Sequence, residues 1–160
     1  MPIREGDRLP EVTLARMTAN GPEQVSTGEL FGKGKAVLFA VPGAFTPTCS
    51  AKHLPGFLAH ADEIRAKGVD TIACVSVNDA FVMGAWGKAQ GADGKVEMLA
   101  DGNGEFARAV GLELDASGFG MGTRSQRFAM IIEDGVVRKL FVEAPGAFAV
   151  SSAENLLANL

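Results

Sequence analysis

Cys49 ends the stretch Pro42-Gly43-Ala44-Phe45-Thr46-Pro47-Thr48-Cys49, which follows an apolar run and precedes a helix-patterned segment. A thiol in that place can do nucleophilic chemistry. A Pro/Gly turn leading from a strand into a helix leaves the first backbone N–H groups of the helix without partners, free to donate to a thiolate. The thiolate is the reactive form, and an ordinary cysteine titrating near 8.5 is only about 3% ionised at neutral pH. Making it mostly ionised takes roughly 3 kcal/mol in favour of the charged form. A helix N-terminus contributes about 0.3–2 kcal/mol, so a cation is expected from another part of the chain.

The elements that must position Cys49 follow from apolar periodicity. Residues 36–41 are continuously apolar, as in a central strand buried on both faces. Leu54, Phe57, Leu58, Ala61 and Ile64 recur at helical spacing, with His60, Asp62, Glu63, Arg65 and Lys67 on the other side and Gly68 as the stop. Pro55 has no N–H and crowds the carbonyl of Ala51, which predicts a kink one turn after Cys49. Such a turn can melt locally, exposing oxidised Cys49 to a reductant.

Pro10 to Met17 and Gln24 to Ser26 read as an N-terminal hairpin turning at Asn20-Gly21-Pro22, and Glu29 to Lys35 as a connector. Further strands are expected at 69–77 and 96–100. A helix capped by Asn78-Asp79 should run to about Gln90, and a short helix capped by Asn103 to Val110. Residues 111–122 read as a glycine-rich excursion. Residues 128–132 and 136–142 flank Glu133-Asp134-Gly135, whose Asp-Gly pair signals a tight hairpin, and Ser152 to Leu160 closes as a helix. The fold class is α/β, a mixed central sheet flanked by helices with an N-terminal hairpin extension, in one domain over residues 1–160.

Composition excludes several function classes. With 160 residues, 47% of them apolar and 21% charged, the chain can bury a substantial core. A net charge of −4 provides no basic surface for nucleic acid, and no apolar run is long enough to span a membrane. Two cysteines do not make a disulfide framework, and the first residues lack a signal-peptide core, so a reducing, cytoplasmic setting is expected. Cys74 lies in Ile72-Ala73-Cys74-Val75 and reads as an inert core thiol. Two histidines and two cysteines at these spacings fit no common zinc pattern, and no cofactor or metal is called for. His53, one turn after Cys49, is a candidate neighbour of the thiol; His60 reads as a solvated helix residue. Phe81, Trp86 and Phe119 are expected in the core, and Phe45 exposed in its turn.

The pattern Pro42-x-x-x-Thr46-x-x-Cys49 resembles the active-site signature of the peroxiredoxins, thiol peroxidases on a thioredoxin-like scaffold. His-Leu-Pro-Gly-Phe at 53–57, Ser-Val-Asn-Asp-Ala-Phe-Val-Met at 76–83 and Arg-Ser-Gln-Arg-Phe at 124–128 extend the resemblance to the type-5, or type II, subfamily. It implies that Cys49 attacks a hydroperoxide and becomes a sulfenic acid. Thr46 would accept from the peroxide while donating to sulfur, the Pro42 ring would shield the thiolate from water, and Arg124 would be the missing cation. Type-5 relatives with an intramolecular disulfide carry the second cysteine near the C-terminus, and residues 147–153 hold none. The resemblance thus implies reduction from outside by glutathione or a glutaredoxin, with thioredoxin as the alternative, and a non-covalent homodimer around Phe45. A disulfide reductase on the same scaffold would need a second cysteine where Thr46 stands. A redox sensor or holdase would be oxidised without turning over.

Overall fold

The structure, a computed structural model, describes residues 2–160. Its centre is a seven-stranded mixed sheet in the order β2-β1-β5-β4-β3-β8-β9. Strand β3 (Lys35–Ala40) pairs in parallel with β4 (Thr71–Ser76), and β4 with β5 (Glu97–Ala100). On its other edge β3 runs antiparallel to β8 (Phe128–Glu133), which turns at Asp134-Gly135 into β9 (Val136–Val142). Both turn residues have positive φ, 49° and 81°, the requirement that an Asp-Gly pair meets. The N-terminal hairpin, β1 (Thr13–Thr18) and β2 (Gly21–Ser26), extends the sheet beyond β5.

Alternation along β3 divides the core in two. Val37, Phe39 and Val41 face one apolar layer, and Ala36, Leu38 and Ala40 the other. The first layer is covered by α2 (Leu54–Ala66), α3 (Ala80–Gln90) and α5 (Ala153–Ala158), through Leu54, Phe57, Ile64, Met83, Trp86 and Leu156. Phe57 stacks on Phe39 with centroids 4.0 Å apart and planes 4° from parallel. The second layer takes Phe31 of α1 (Thr27–Phe31) and Phe106 of α4 (Glu105–Ala109).

The expected connector at Glu29 to Lys35 begins as a helix. Ser26 Oγ accepts from Glu29 N at 3.1 Å while the Glu29 carboxylate accepts from Ser26 N at 3.3 Å, a reciprocal cap that starts α1 one residue after β2. Asn103 does not cap the short helix that follows β5. The Asp101 carboxylate does, accepting from Phe106 N and Ala107 N at 3.0 Å each. The excursion at 111–122 contains β6 (Glu113–Asp115), which pairs with β7 (Thr123–Ser125) in a separate two-stranded sheet. Phe81 and Phe119 are 65% and 86% exposed rather than core, whereas Trp86 is fully buried and Phe45 is 56% exposed. Among the described residues no helix is long and apolar enough to cross a membrane.

Candidate active site

Strand β3 hands the chain to Pro42 at the edge of the first apolar layer, and the turn that follows is held from several sides. Ala44 N donates to Asn78 Oδ1 at 3.0 Å, and Thr46 Oγ1 donates to Gly43 O at 2.7 Å. Phe45 sits at φ 63°, a left-handed conformation that costs a bulky L-residue about 1–2 kcal/mol and persists only where its surroundings impose it. Gly43 is close-packed: a Cβ there would lie 3.1 Å from Met121 Cε and 3.2 Å from Thr46 Cγ2.

A helix begins at Pro47 and widens at once. Over Cys49–His53 it is a π-turn, in which Leu54 N donates to Cys49 O, one residue further back than in an α-helix. Pro55 lies at the start of α2 and has no N–H to continue either pattern. The Ser50 carbonyl, left over by this widening, accepts from Gln90 Nε2 at 3.1 Å, and Ser50 Oγ accepts from Trp86 Nε1 at 2.9 Å. Helix α3 thus clamps the residue next to Cys49. The irregularity expected at Pro55 is therefore a local widening with a side chain filling the gap.

The Cys49 side chain is fully buried, and its sulfur accepts from Arg127 Nη2 at 3.1 Å. Arg127 Nη1 donates to His53 Nδ1 at 2.8 Å, and His53 Nε2 donates to Ser151 O at 2.9 Å. A carbonyl only accepts, so the proton of the neutral ring is on Nε2 and its Nδ1 lone pair is available to the guanidinium. Burial, and after it the charge of Arg127, pull the His53 pKa down to about 3, and the ring is neutral at physiological pH. Phe39, Phe57 and Phe148 pack around it, with Phe148 also 5.9 Å from Arg127 Cζ.

The cation beside sulfur is Arg127, and Arg124 is not. Arg124 Nε donates to Met121 O at 2.9 Å and Arg124 Nη1 to Val77 O at 2.7 Å, so its guanidinium ties β7 and its preceding loop to the end of β4. It still borders the turn, 3.7 Å from where a Gly43 Cβ would lie. Register explains the exchange. Phe128 pairs with Ala40, so the residue just before Phe128 stands level with the start of the Pro42 turn. Three residues earlier is roughly 10 Å further along an extended chain. No local signal separates the two arginines; the pairing of β8 with β3 does.

Thr46 also differs in detail from expectation. Its proton goes to Gly43 O, not to sulfur, which leaves its oxygen lone pairs to receive a donor. Pro42 is half-buried where β3 ends. Cys74 lies fully buried in β4, opposite Phe39 of β3 and Met98 of β5. Burial first, then the neighbouring Cys49, pushes its thiol well above the ordinary value, which keeps it protonated and unreactive. Both cysteines are free. His60 lies on the surface between Glu63 at 2.9 Å and Glu154 at 3.3 Å. Among the described residues no three His, Cys, Asp or Glu side chains gather as metal ligands would.

This geometry pairs a buried sulfur nucleophile with a guanidinium that can stabilise negative charge on it and on an oxygen arriving beside it. Known proteins share the arrangement's framework. The family model described as Redoxin matches residues 4–157. Peroxiredoxin-2E-2, chloroplastic, from Oryza sativa subsp. japonica is 56% identical over 97% of this chain and 71% of its own length. Peroxiredoxin-2B from Arabidopsis thaliana is 48% identical over 98% of this chain and 97% of its own. The crystal structure of reduced Prx3 in complex with H2O2 from Vibrio vulnificus superposes with a TM-score of 0.94, at 58% identity and 98% coverage of both chains. The fold is thioredoxin-like, and the chain belongs to the Redoxin family, within it to the peroxiredoxins, thiol peroxidases with a peroxidatic cysteine.

Proposed function

We propose that Cys49 is the peroxidatic cysteine, that it works without a resolving cysteine in the same chain, and that the protein belongs to the type-5, or type II, kind. The contact from Arg127 Nη2 to Cys49 Sγ at 3.1 Å carries the reading. The thiolate attacks the terminal oxygen of a hydroperoxide, forming an S–O bond as the O–O bond breaks; the alcohol or water leaves with a proton, and sulfur is oxidised to sulfenic acid. Arg127 holds the charge moving from sulfur to the leaving oxygen, with Thr46 accepting from the peroxide O–H. Pro42 keeps water from the sulfur. Arg124 supports the turn through its two carbonyls.

An outside thiol then condenses with the sulfenic acid, releasing water and leaving a mixed disulfide, which a second thiol reduces. Glutathione or a glutaredoxin is the favoured reductant and thioredoxin the alternative; neither metal nor organic cofactor takes part. Burial of Cys74 in the central sheet supports an external reductant. Full burial of Cys49 means that the turn at 46–54 must open for that step. The exposed Phe45, beside Trp86 with centroids 6.5 Å apart, supports a non-covalent homodimer on that face. Two free cysteines suit a reducing, cytoplasm-like compartment.

Intact-mass spectrometry after one equivalent of hydroperoxide tests this, with and without glutathione, in the native chain, Cys49→Ser and Cys74→Ala. One added oxygen that becomes a glutathione adduct, absent from Cys49→Ser and retained in Cys74→Ala, is expected. Loss of two hydrogens in the native chain, abolished in Cys74→Ala, would make Cys74 the resolver and overturn the one-cysteine cycle.

A further inference from the structure

The reaction described above uses Cys49 and Arg127, yet the most heavily bonded side chain nearby is a carboxylate outside it. Glu143 directly follows β9, and its N donates to Arg127 O at 3.0 Å, so the two residues leave the same end of the β8–β9 pair. It is only 6% exposed. One of its oxygens, Oε2, accepts from Ala149 N at 2.8 Å, Ser151 N at 2.8 Å and Ser151 Oγ at 2.7 Å. Burial pushes the carboxyl pKa up, but the bonds from Ser151 and Ala149 outweigh it and hold the group below its ordinary value, ionised at neutral pH.

Those three bonds fold residues 144–152 back over the site. The loop places two groups on His53: the Phe148 ring, with centroids 5.0 Å apart, and the Ser151 carbonyl. The carbonyl selects the His53 tautomer, and the tautomer decides whether Nδ1 can accept from Arg127. A ring protonated on both nitrogens would face the guanidinium with a proton and a like charge.

We infer that Glu143 is a positioning residue for the peroxidase reaction, acting through Ser151 and His53: its carboxylate latches the loop that makes His53 the acceptor aiming Arg127 at the Cys49 sulfur. The inference rests on the reading that Arg127 serves Cys49. It adds a requirement that the sulfur site alone does not contain, since a loop closing over the site from β9 has to be tied down for the arginine to keep its aim. The charged groups facing His53 are Arg127, directly before β8, and Glu143, which follows β9 and also bonds Ser151; Cys49, on the same turn as His53, shares Arg127 with it, and Phe39, Phe57 and Phe148 carry no charge.

The chain has two histidines, which makes nitrogen-15 NMR of the imidazoles decisive. In the native protein between pH 5.5 and 8, His53 should show a protonated Nε2 and a bare Nδ1 throughout, while His60, half-buried at the surface, serves as the titrating internal control. In Glu143→Ala, His53 should titrate within that range. Cys49 alkylation by iodoacetamide and its oxidation by hydrogen peroxide should then slow about ten-fold or more at pH 6, the scale of losing a hydrogen bond to a charged group, and much less at pH 8, where the ring is neutral again. Glu143→Gln, which keeps an acceptor without the charge, should fall between. Should Glu143→Ala not fold, Glu143→Gln and Ser151→Ala decide by the same readouts. A merely structural role would lower the melting temperature and leave the His53 signals and the pH 6 to pH 8 ratio unchanged, which would overturn the inference. A native protein inert to peroxide would instead refute the peroxidase reading, with the NMR and alkylation data still deciding the role of Glu143.

Discussion

Replacing Arg127 by Gln removes the only cation in hydrogen-bond contact with the Cys49 sulfur among the described residues. Unit charges about 4 Å apart interact by about 4 kcal/mol at an effective dielectric of 20. Arg127 is half-buried, so solvent screens part of this, and a hydrogen bond to a charged group is worth about 1.5–3 kcal/mol. Taking about 2–3 kcal/mol of lost stabilisation of negative charge on sulfur, Cys49 alkylation at neutral pH should slow by at most about 30- to 150-fold. Stopped-flow alkylation of the reduced protein at pH 7 reads that loss. Peroxide oxidation should fall further, because the same guanidinium stabilises the departing oxygen, an effect of about 100- to 1,000-fold for one lost donor in comparable sites. Arg127→Lys keeps the charge but cannot reach sulfur and His53 with two fixed donors, and should lie between. Arg124→Gln is the control: its two carbonyl partners predict lower thermal stability and near-native alkylation. Native alkylation in Arg127→Gln, together with a large loss in Arg124→Gln, would refute the assignment of the cation.

Three other outcomes follow from the geometry. His53 has a folded-state pKa of about 3 against 6.5 unfolded, so below pH 6.5 only the unfolded chain takes up the proton; stability should fall by about 1.4 kcal/mol per pH unit, about 2 kcal/mol by pH 5, in urea titrations, and His53→Gln should remove that share of the slope. Gln90→Ala leaves the Ser50 carbonyl without its partner and should cost about 1 kcal/mol, with faster amide exchange confined to residues 49–54. Asp101→Ala strips the buried start of α4 of acceptors for two N–H groups and should lower stability by about 2–4 kcal/mol in thermal unfolding, with Cys49 reactivity unchanged.

Much of this was legible in the chain. The continuous apolar run of β3, the helical spacing of Leu54, Phe57, Ala61 and Ile64, and the Asp134-Gly135 turn are local signals, and the elements formed where they point. The Cys49 stretch likewise announces a strand, a turn and a helix start. What was not legible depends on pairing. Arg127 and Arg124 are both arginines ahead of the same strand, and only the register of β8 on β3 puts one of them at the sulfur. Glu143, Ser151 and Phe148 lie in a loop of ordinary composition that matters because β9 ends beside Arg127. Phe81 and Phe119 misled for the opposite reason: aromatic rings usually lie inside, and these two project from the start of α3 and from a short 3-10 turn at Ser117–Phe119. The cap on α1 is the exception, since the Ser26-x-x-Glu29 spacing carries its own signal.

The widened turn at Cys49–His53 also has a bearing on how tolerant this segment is to changes of length. It contains one residue more than an α-helical path between the same ends would need, and each helical residue accounts for about 100° of rotation and 1.5 Å of rise. A single-residue deletion within 50–53 is therefore absorbed by reverting to regular α spacing, leaving α2 and its packing on Phe39 in place. The side chains inside the turn, in contrast, would be re-aimed: Ser50, which accepts from Trp86 Nε1, and His53, which accepts from Arg127 Nη1, could not both keep their partners. The segment can thus lose a residue and keep its fold while losing the His53 contact that aims Arg127, a tolerance of length that no other helix among the described residues has built into it.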